Sequence, residues 1–287
     1  MHPFAYPVIS ALLWSVATQF FAKAGRAMPI RRLNLIKSWV SFALFAIVCL
    51  LSSGFASSLE AVGWLCISGI VGFALGDLLI FASFSRMGPA RTMIIGSFQP
   101  AIIALFSFVF FSRTLNPKQY LGIALMILCI VILSSEKKRR SDVTWKTLLL
   151  ALAGMSLDAL GVVFTKQAFS LDPSIDAFTA NFYRIGIAIP VMTVINYKTG
   201  FWRRLKDTPR PALLGALVGT LLGTFLALYF YLAGIAKADA PTIAALTLCA
   251  PLIASAYEHF KERLFPSGYF LLAVATMLTG VFILIKN

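Results

Sequence analysis

Residues 72–84 read GFALGDLLIFASF, an apolar run interrupted by one carboxylate, Asp77, with no Lys or Arg within eight positions on either side. Whether this stretch spans a membrane decides the fold, and the composition around it answers the question. Hydrophobic residues make up 59% of the 287, charged residues only 13%, and the mean hydropathy is +0.86. A water-soluble domain carries about 25% charge, so this chain is not an ordinary soluble globule. Apolar stretches of roughly 20 residues, enough to cross hydrocarbon, recur from one end to the other. The reading is an all-α integral membrane protein with GFALGDLLIFASF in its third span.

Ten transmembrane helices are predicted, over 5–23, 34–52, 61–85, 90–111, 118–134, 146–168, 177–197, 211–234, 240–260 and 267–285. The most hydrophilic connection, EKKRRSDVTWK at 136–146, falls near the middle. It divides the chain into a first five-helix repeat (1–135), a basic cytoplasmic linker (136–145) and a second five-helix repeat (146–287). Internal matches support the duplication: Pro100 with Pro251 and Ile102 with Ile253 at an offset of 151, Phe21 and Lys23 with Phe164 and Lys166 at 143, Gly72 and Gly76 with Gly219 and Gly223 at 147. An odd number of helices per copy places tandem copies upside down relative to each other. Two inverted five-helix repeats, with a site at their interface, are a recurring plan of secondary transporters.

The net charge of +14 would suggest nucleic acid in a soluble protein, but here the basic residues lie mostly between apolar runs. The connections after the first, third, fifth, seventh and ninth spans carry 19 of the 25 Lys and Arg residues. The opposite connections carry Arg113, Lys118, Lys166, Lys237 and Lys286, and Arg184 lies within a span. The positive-inside rule then sets both termini on the non-cytoplasmic side, in a bacterial inner (plasma) membrane, and no nucleic-acid partner is expected. Lys23 and Lys37 can be assigned to helix ends without removing the bias. The first apolar run has no basic segment before it and reads as a span, not a signal peptide. Cys49, Cys66, Cys129 and Cys249 are scattered, and His2 and His259 have no companions. Neither a disulfide framework nor a metal site is indicated, and no cofactor is expected. Without a P-loop, an ATP-driven mechanism is excluded.

An ionisable group at mid-bilayer costs about 2.5–3.5 kcal/mol by insertion scales, so Asp77, Asp158 and Arg184 are the leading candidate site residues. Two readings stay open for them: a structural ion pair such as Asp with Arg184, or a substrate or proton site, with protons as a coupling ion. Trp14, Gln19, Asn181 and Tyr229 complete the candidate substrate-binding set. Tyr229 and its neighbour Tyr231 can stack on a ligand or belong to the interfacial belt. Gly154, Asp158, Gly161 and Thr165 share one helix face, and Ala11, Ser15, Thr18 and Ala22 repeat it 143 positions earlier; such weakly polar faces suit a water-accessible wall. The stripes Ser68–Gly72–Gly76 and Gly215–Gly219–Gly223 suit close helix packing or a sliding contact. At the 147 offset Asp77 is matched by Thr224, so its carboxylate belongs to one half only.

The paired stretches GFALGDLLIFASFSRMGPARTMIIGSFQPAIIALFSFVFFSRTLNP and ALYFYLAGIAKADAPTIAALTLCAPLIASAYEHFKERLFP resemble the EamA-type repeats of the drug/metabolite transporter superfamily. The features that carry the resemblance are Gly76–Asp77, the small-residue turn into the next helix, and Pro100 and Pro251. It implies a ten-helix secondary carrier with a central cavity lined by both halves. Such a carrier moves a small polar or amphipathic metabolite, amino acids and related compounds among them, by alternating access and often outward. Two departures stand out. Family repeats often place Gly-Glu thirteen residues after the proline, where this chain has Arg113 and Leu264, with Glu262 two residues early. Familiar members are also drawn with cytoplasmic termini, the reverse of the charge bias here. The rival is a membrane-embedded enzyme acting on a lipid or isoprenoid; it calls for a carboxylate-rich or His-containing cluster at one membrane face, which the sequence does not display, so no enzymatic activity is expected.

Overall fold

A computed structural model describes residues 2–52, 57–87, 92, 95–136, 145–197, 208–250 and 268–286. Most of the expected linker (137–144), Pro251, Glu258, Glu262 and Leu264 lie outside the described residues. Every regular element among the described residues is helical, as expected where lipid leaves backbone groups no partner but their own helix. In chain order they are α1 (Ala5–Ala27), α2 (Ile30–Ser52), α3 (Leu59–Ser68), π1 (Gly69–Gly76), α4 (Asp77–Met87), α5 (Gln99–Phe111) and α6 (Pro117–Glu136). The second half gives α7 (Trp145–Leu171), α8 (Ala177–Asn196), α9 (Arg210–Gly219), π2 (Thr220–Ala227), α10 (Leu228–Lys237), α11 (Ala240–Leu246) and α12 (Gly268–Ile285).

Among the described residues, seven helices are long and apolar enough to cross a membrane: α1, α2, the run Leu59–Ser83, α7, most of α8, the run Arg210–Lys237, and α12. The described parts of the fourth and fifth expected spans form shorter apolar helices, Gln99–Phe111 and Pro117–Ile132. The fourth and ninth spans are not single rods. A turn at Ser97–Phe98 precedes Pro100 and a turn at Thr247–Leu248 precedes residue 251, 150 positions apart. Proline has no N–H and its ring crowds the carbonyl four residues back, which makes each break local to its sequence.

Two further irregularities are paired. In π1 the Asp77 N–H reaches back five residues to the Gly72 carbonyl, and in π2 the Leu228 N–H reaches Gly223. Such widened turns are frequent at functional sites. Helix pairing across the halves follows the same symmetry: α1 packs on α9 and π2, α7 on α3 and π1, α2 on α8, α5 on α11, and α6 on α12. Exchanging the halves maps this pairing onto itself.

The glycine stripes are packing surfaces. A Cβ on Gly72 would lie 3.1 Å from the Gly161 Cα, and one on Gly69 would lie 2.0 Å from the Arg184 carbonyl oxygen. Bare backbone at these points lets α7 and α8 approach π1 closely, as small residues do between membrane helices. The face Gly154–Asp158–Gly161–Thr165, expected to be a water-accessible wall, is mostly buried in this contact: Gly161 meets Gly72, and Thr165 bonds the Ser68 hydroxyl at 2.8 Å. Only Asp158 of that face reaches a cavity.

Candidate functional site

Between the halves lies a cavity of about 210 Å³, several times the roughly 30 Å³ that one water occupies in the liquid. Its walls come from α1, α2, π1, α4, α5, α7, α8, π2 and α10, and from the broken stretches at Gly96 and Thr247–Ala250. α6 and α12 contribute no described residue to it; they pack on each other through Met126, Ile123 and Leu284 at the periphery.

Four charged side chains line it: Lys37, Asp77, Asp158 and Arg184, with no net formal charge. Asp77 forms an ion pair with Lys37. Lys37 is 2% exposed, and its ammonium lies 4.5 Å from the Phe73 ring centroid and 4.8 Å from that of Phe81, so two aromatic faces share in stabilising the buried cation. The expected pairing of an aspartate with Arg184 is therefore replaced by Asp77 with Lys37. The expected second span, from 34, leaves Lys37 near a helix end; α2 in fact begins at Ile30, two turns before it. Arg184, also 2% exposed, donates from Nε to Ser68 Oγ at 2.9 Å and from Nη1 to Asn181 Oδ1 at 3.4 Å. Ser68 is itself fixed, donating to the Gly161 carbonyl at 2.6 Å. Asp158 accepts from Gln99 Nε2, so the two cavity carboxylates have different partners, one cationic and one neutral.

Of the candidates read from sequence, Asp77, Asp158, Arg184 and Trp14 line the cavity together, and three do not. Gln19 is exposed. It stands five residues after Trp14, about 140° around the helix at 3.6 residues per turn, so it points away from the Ser10–Ala11–Trp14 face. Asn181 is fully buried behind Arg184, with its amide nitrogen on the Ala177 carbonyl at 3.0 Å. Tyr229 turns outward from the cavity and stacks on Phe178, ring centroids 4.1 Å apart; the cavity tyrosine is its neighbour Tyr231. Lys37 and Gln99 were missed. The signal for Lys37 was in the sequence, because the 147 offset aligns Asn34 and Lys37 with Asn181 and Arg184.

One end of the molecule carries hydrogen bonds across the halves. Arg113 donates to Gln167 at 2.7 Å and Ser170 at 2.9 Å, Gln119 donates to Asp239 at 2.9 Å, and the Ser58 N–H donates to Asp172 at 2.8 Å. The Ser174 hydroxyl, with the Ser58 and Ser174 N–H groups, holds the Asp172 carboxyl below its usual value, and burial lowers the Arg113 guanidinium. Among the described residues no group of three or more His, Cys, Asp or Glu could hold a metal ion.

A family model for EamA-like transporters matches residues 4–135 and again residues 145–286. The chain belongs to the EamA-like transporter family. It is an integral membrane protein of two EamA repeats, in a family of membrane transporters. No curated protein matches the sequence. A solved crystal structure of a protein 16% identical superposes with a TM-score of 0.75, over 98% of this chain and 95% of the other; at that identity it speaks for the fold alone.

Proposed function

We propose that the protein is a ten-helix secondary carrier, its repeats inverted, that moves a small polar or amphipathic metabolite outward by alternating access through the cavity. Amino acids and related compounds are the leading substrates, and protons the candidate coupling ion. The carrying observation is the cavity itself: buried charges from both halves, met by a break in each of two equivalent helices. Discontinuous helices at a repeat interface are how such carriers build a midplane site. The hydrogen bonds at the α5–α6 end supply a closure that can open without covalent change. The Lys and Arg distribution supports non-cytoplasmic termini in a bacterial inner membrane.

The test is reconstitution in proteoliposomes and a counterflow screen of radiolabelled small metabolites, with Asp77→Asn and Arg184→Ala beside the wild type. Flux of at least one compound is expected, reduced in both variants. Absence of flux for every compound, together with turnover of a lipid or isoprenoid, would overturn the reading. A reporter active only in the cytoplasm, fused after Asn287, is expected to be silent; activity would reverse the orientation.

A further inference from the structure

The cavity's two cations are repeat mates, and they are unequally served. The 147 offset that aligns Gly72 and Gly76 with Gly219 and Gly223 also aligns Asn34-x-x-Lys37 with Asn181-x-x-Arg184, and Asp77 with Thr224. Asn34, Lys37, Asn181 and Arg184 are all buried, and their helices α2 and α8 pack together. In the first half the cation meets a carboxylate of its own half, Asp77. In the second half the equivalent position holds a threonine.

That threonine is not otherwise employed. Thr224 is 3% exposed, lines the cavity, and its Oγ1 has no hydrogen-bond partner among the described residues. Two turns further on, Tyr231 also lines the cavity and ends in a buried hydroxyl without a partner. Arg184 has two hydrogen bonds and no ion pair among the described residues, whereas a guanidinium offers five N–H donors in a fork that fits a carboxylate. Buried polar groups are ordinarily satisfied, so two orphan hydroxyls lining the same cavity as a guanidinium without an ion pair among the described residues point to an acceptor that all three could share.

We propose that Arg184, Thr224 and Tyr231 form a subsite for the carboxylate of a small organic substrate, which stands in the second half where the Asp77 side chain stands in the first. This names a substrate class for the cavity and rests on the carrier reading above. The guanidinium supplies charge and the hydroxyls donate to the remaining lone pairs. A single negative charge suits the site, since Asp77 and Asp158 share the cavity and would repel a dianion such as phosphate.

The geometry makes a prediction that needs no substrate. Thr224→Asp restores the missing carboxylate, so it should raise the melting temperature of the detergent-purified protein by roughly 2–4 °C where Arg184 is present. In Arg184→Gln the same change should lower it, because the new carboxylate is then buried without a cation. An equal shift in both backgrounds would overturn the subsite. A second arm uses proteoliposomes: L-amino acids and 2-hydroxy acids are compared with their carboxamides as counterflow competitors. Acids should compete at least tenfold better than amides in the wild type, and the difference should vanish in Thr224→Asp. Flux with acids and amides equally effective would reject the subsite and leave the carrier. Coupling of Thr224→Asp to Arg184 without flux of any compound would keep the subsite and reject the carrier.

Discussion

The second and seventh expected spans carry the same short signature, Asn34-Leu35-Ile36-Lys37 and Asn181-Phe182-Tyr183-Arg184, and put it to different uses. In the first half the cation is closed off by Asp77 and two aromatic rings. In the second, among the described residues, it is held by Ser68 and Asn181 without an ion pair, with Thr224 where the first half has an acid. The comparison teaches that both repeats carry the Asn-x-x-cation pair, while the counter-charge stands in one copy. One half thus carries an internal ion pair, and the other has a threonine, Thr224, at the position of the acid.

The largest effect should come from breaking the ion pair. Lys37→Met leaves Asp77 without its cation and should cost about 3–5 kcal/mol, the range for removing one partner of a buried pair. Arg184→Met breaks no ion pair among the described residues but removes the hydrogen bonds to Ser68 and Asn181, and should cost about 1–3 kcal/mol. Unfolding in detergent reads both, and equal losses would erase the distinction between the halves. Next comes the seating of α8 on π1. Gly69→Ala drives a Cβ into the Arg184 carbonyl and should cost about 1–3 kcal/mol as overpacking. Gly63→Ala, with nothing within 4 Å of the added Cβ, should be neutral or gain up to about 1 kcal/mol. Smaller still, Tyr231→Phe removes an unpartnered hydroxyl, so the melting temperature should hold or rise while substrate affinity falls. Loss of both together would make Tyr231 structural.

The smallest effect concerns the end where hydrogen bonds cross the halves. Hydrogen bonds depress the Asp172 carboxyl below its ordinary value of 3.8, so its contribution is fully present above that value and is lost only as pH falls through the lower, folded one. Between pH 5 and 8 the melting temperatures of wild type and Asp172→Asn should therefore run parallel. Divergence within that window would assign the pH response to this carboxylate.

Composition alone made the membrane fold legible, and the glycines of the third and eighth spans located the close helix contacts. Asp77, Asp158 and Arg184, which line the cavity, were legible as candidates because apolar spans leave a charge conspicuous. Lys37 was not, since a basic residue near a basic loop looks like a helix end until the 147 offset is applied to it. Gln19 and Tyr229 were misplaced for a simpler reason: neighbouring residues on a helix differ by 100°, so proximity to a polar face says little about membership of it. The breaks at Ser97–Phe98 and Thr247–Leu248 were hidden because proline marks where a span can interrupt but not how far upstream the turn forms.

Substrate counterflow in proteoliposomes containing wild type, Arg184→Ala or Thr224→Asp tests the central claim most directly. If the cavity carries substrate at the second half's open cation, both variants should lose at least tenfold in flux, one by removing the cation and the other by occupying it. Wild-type flux in both would contradict the account.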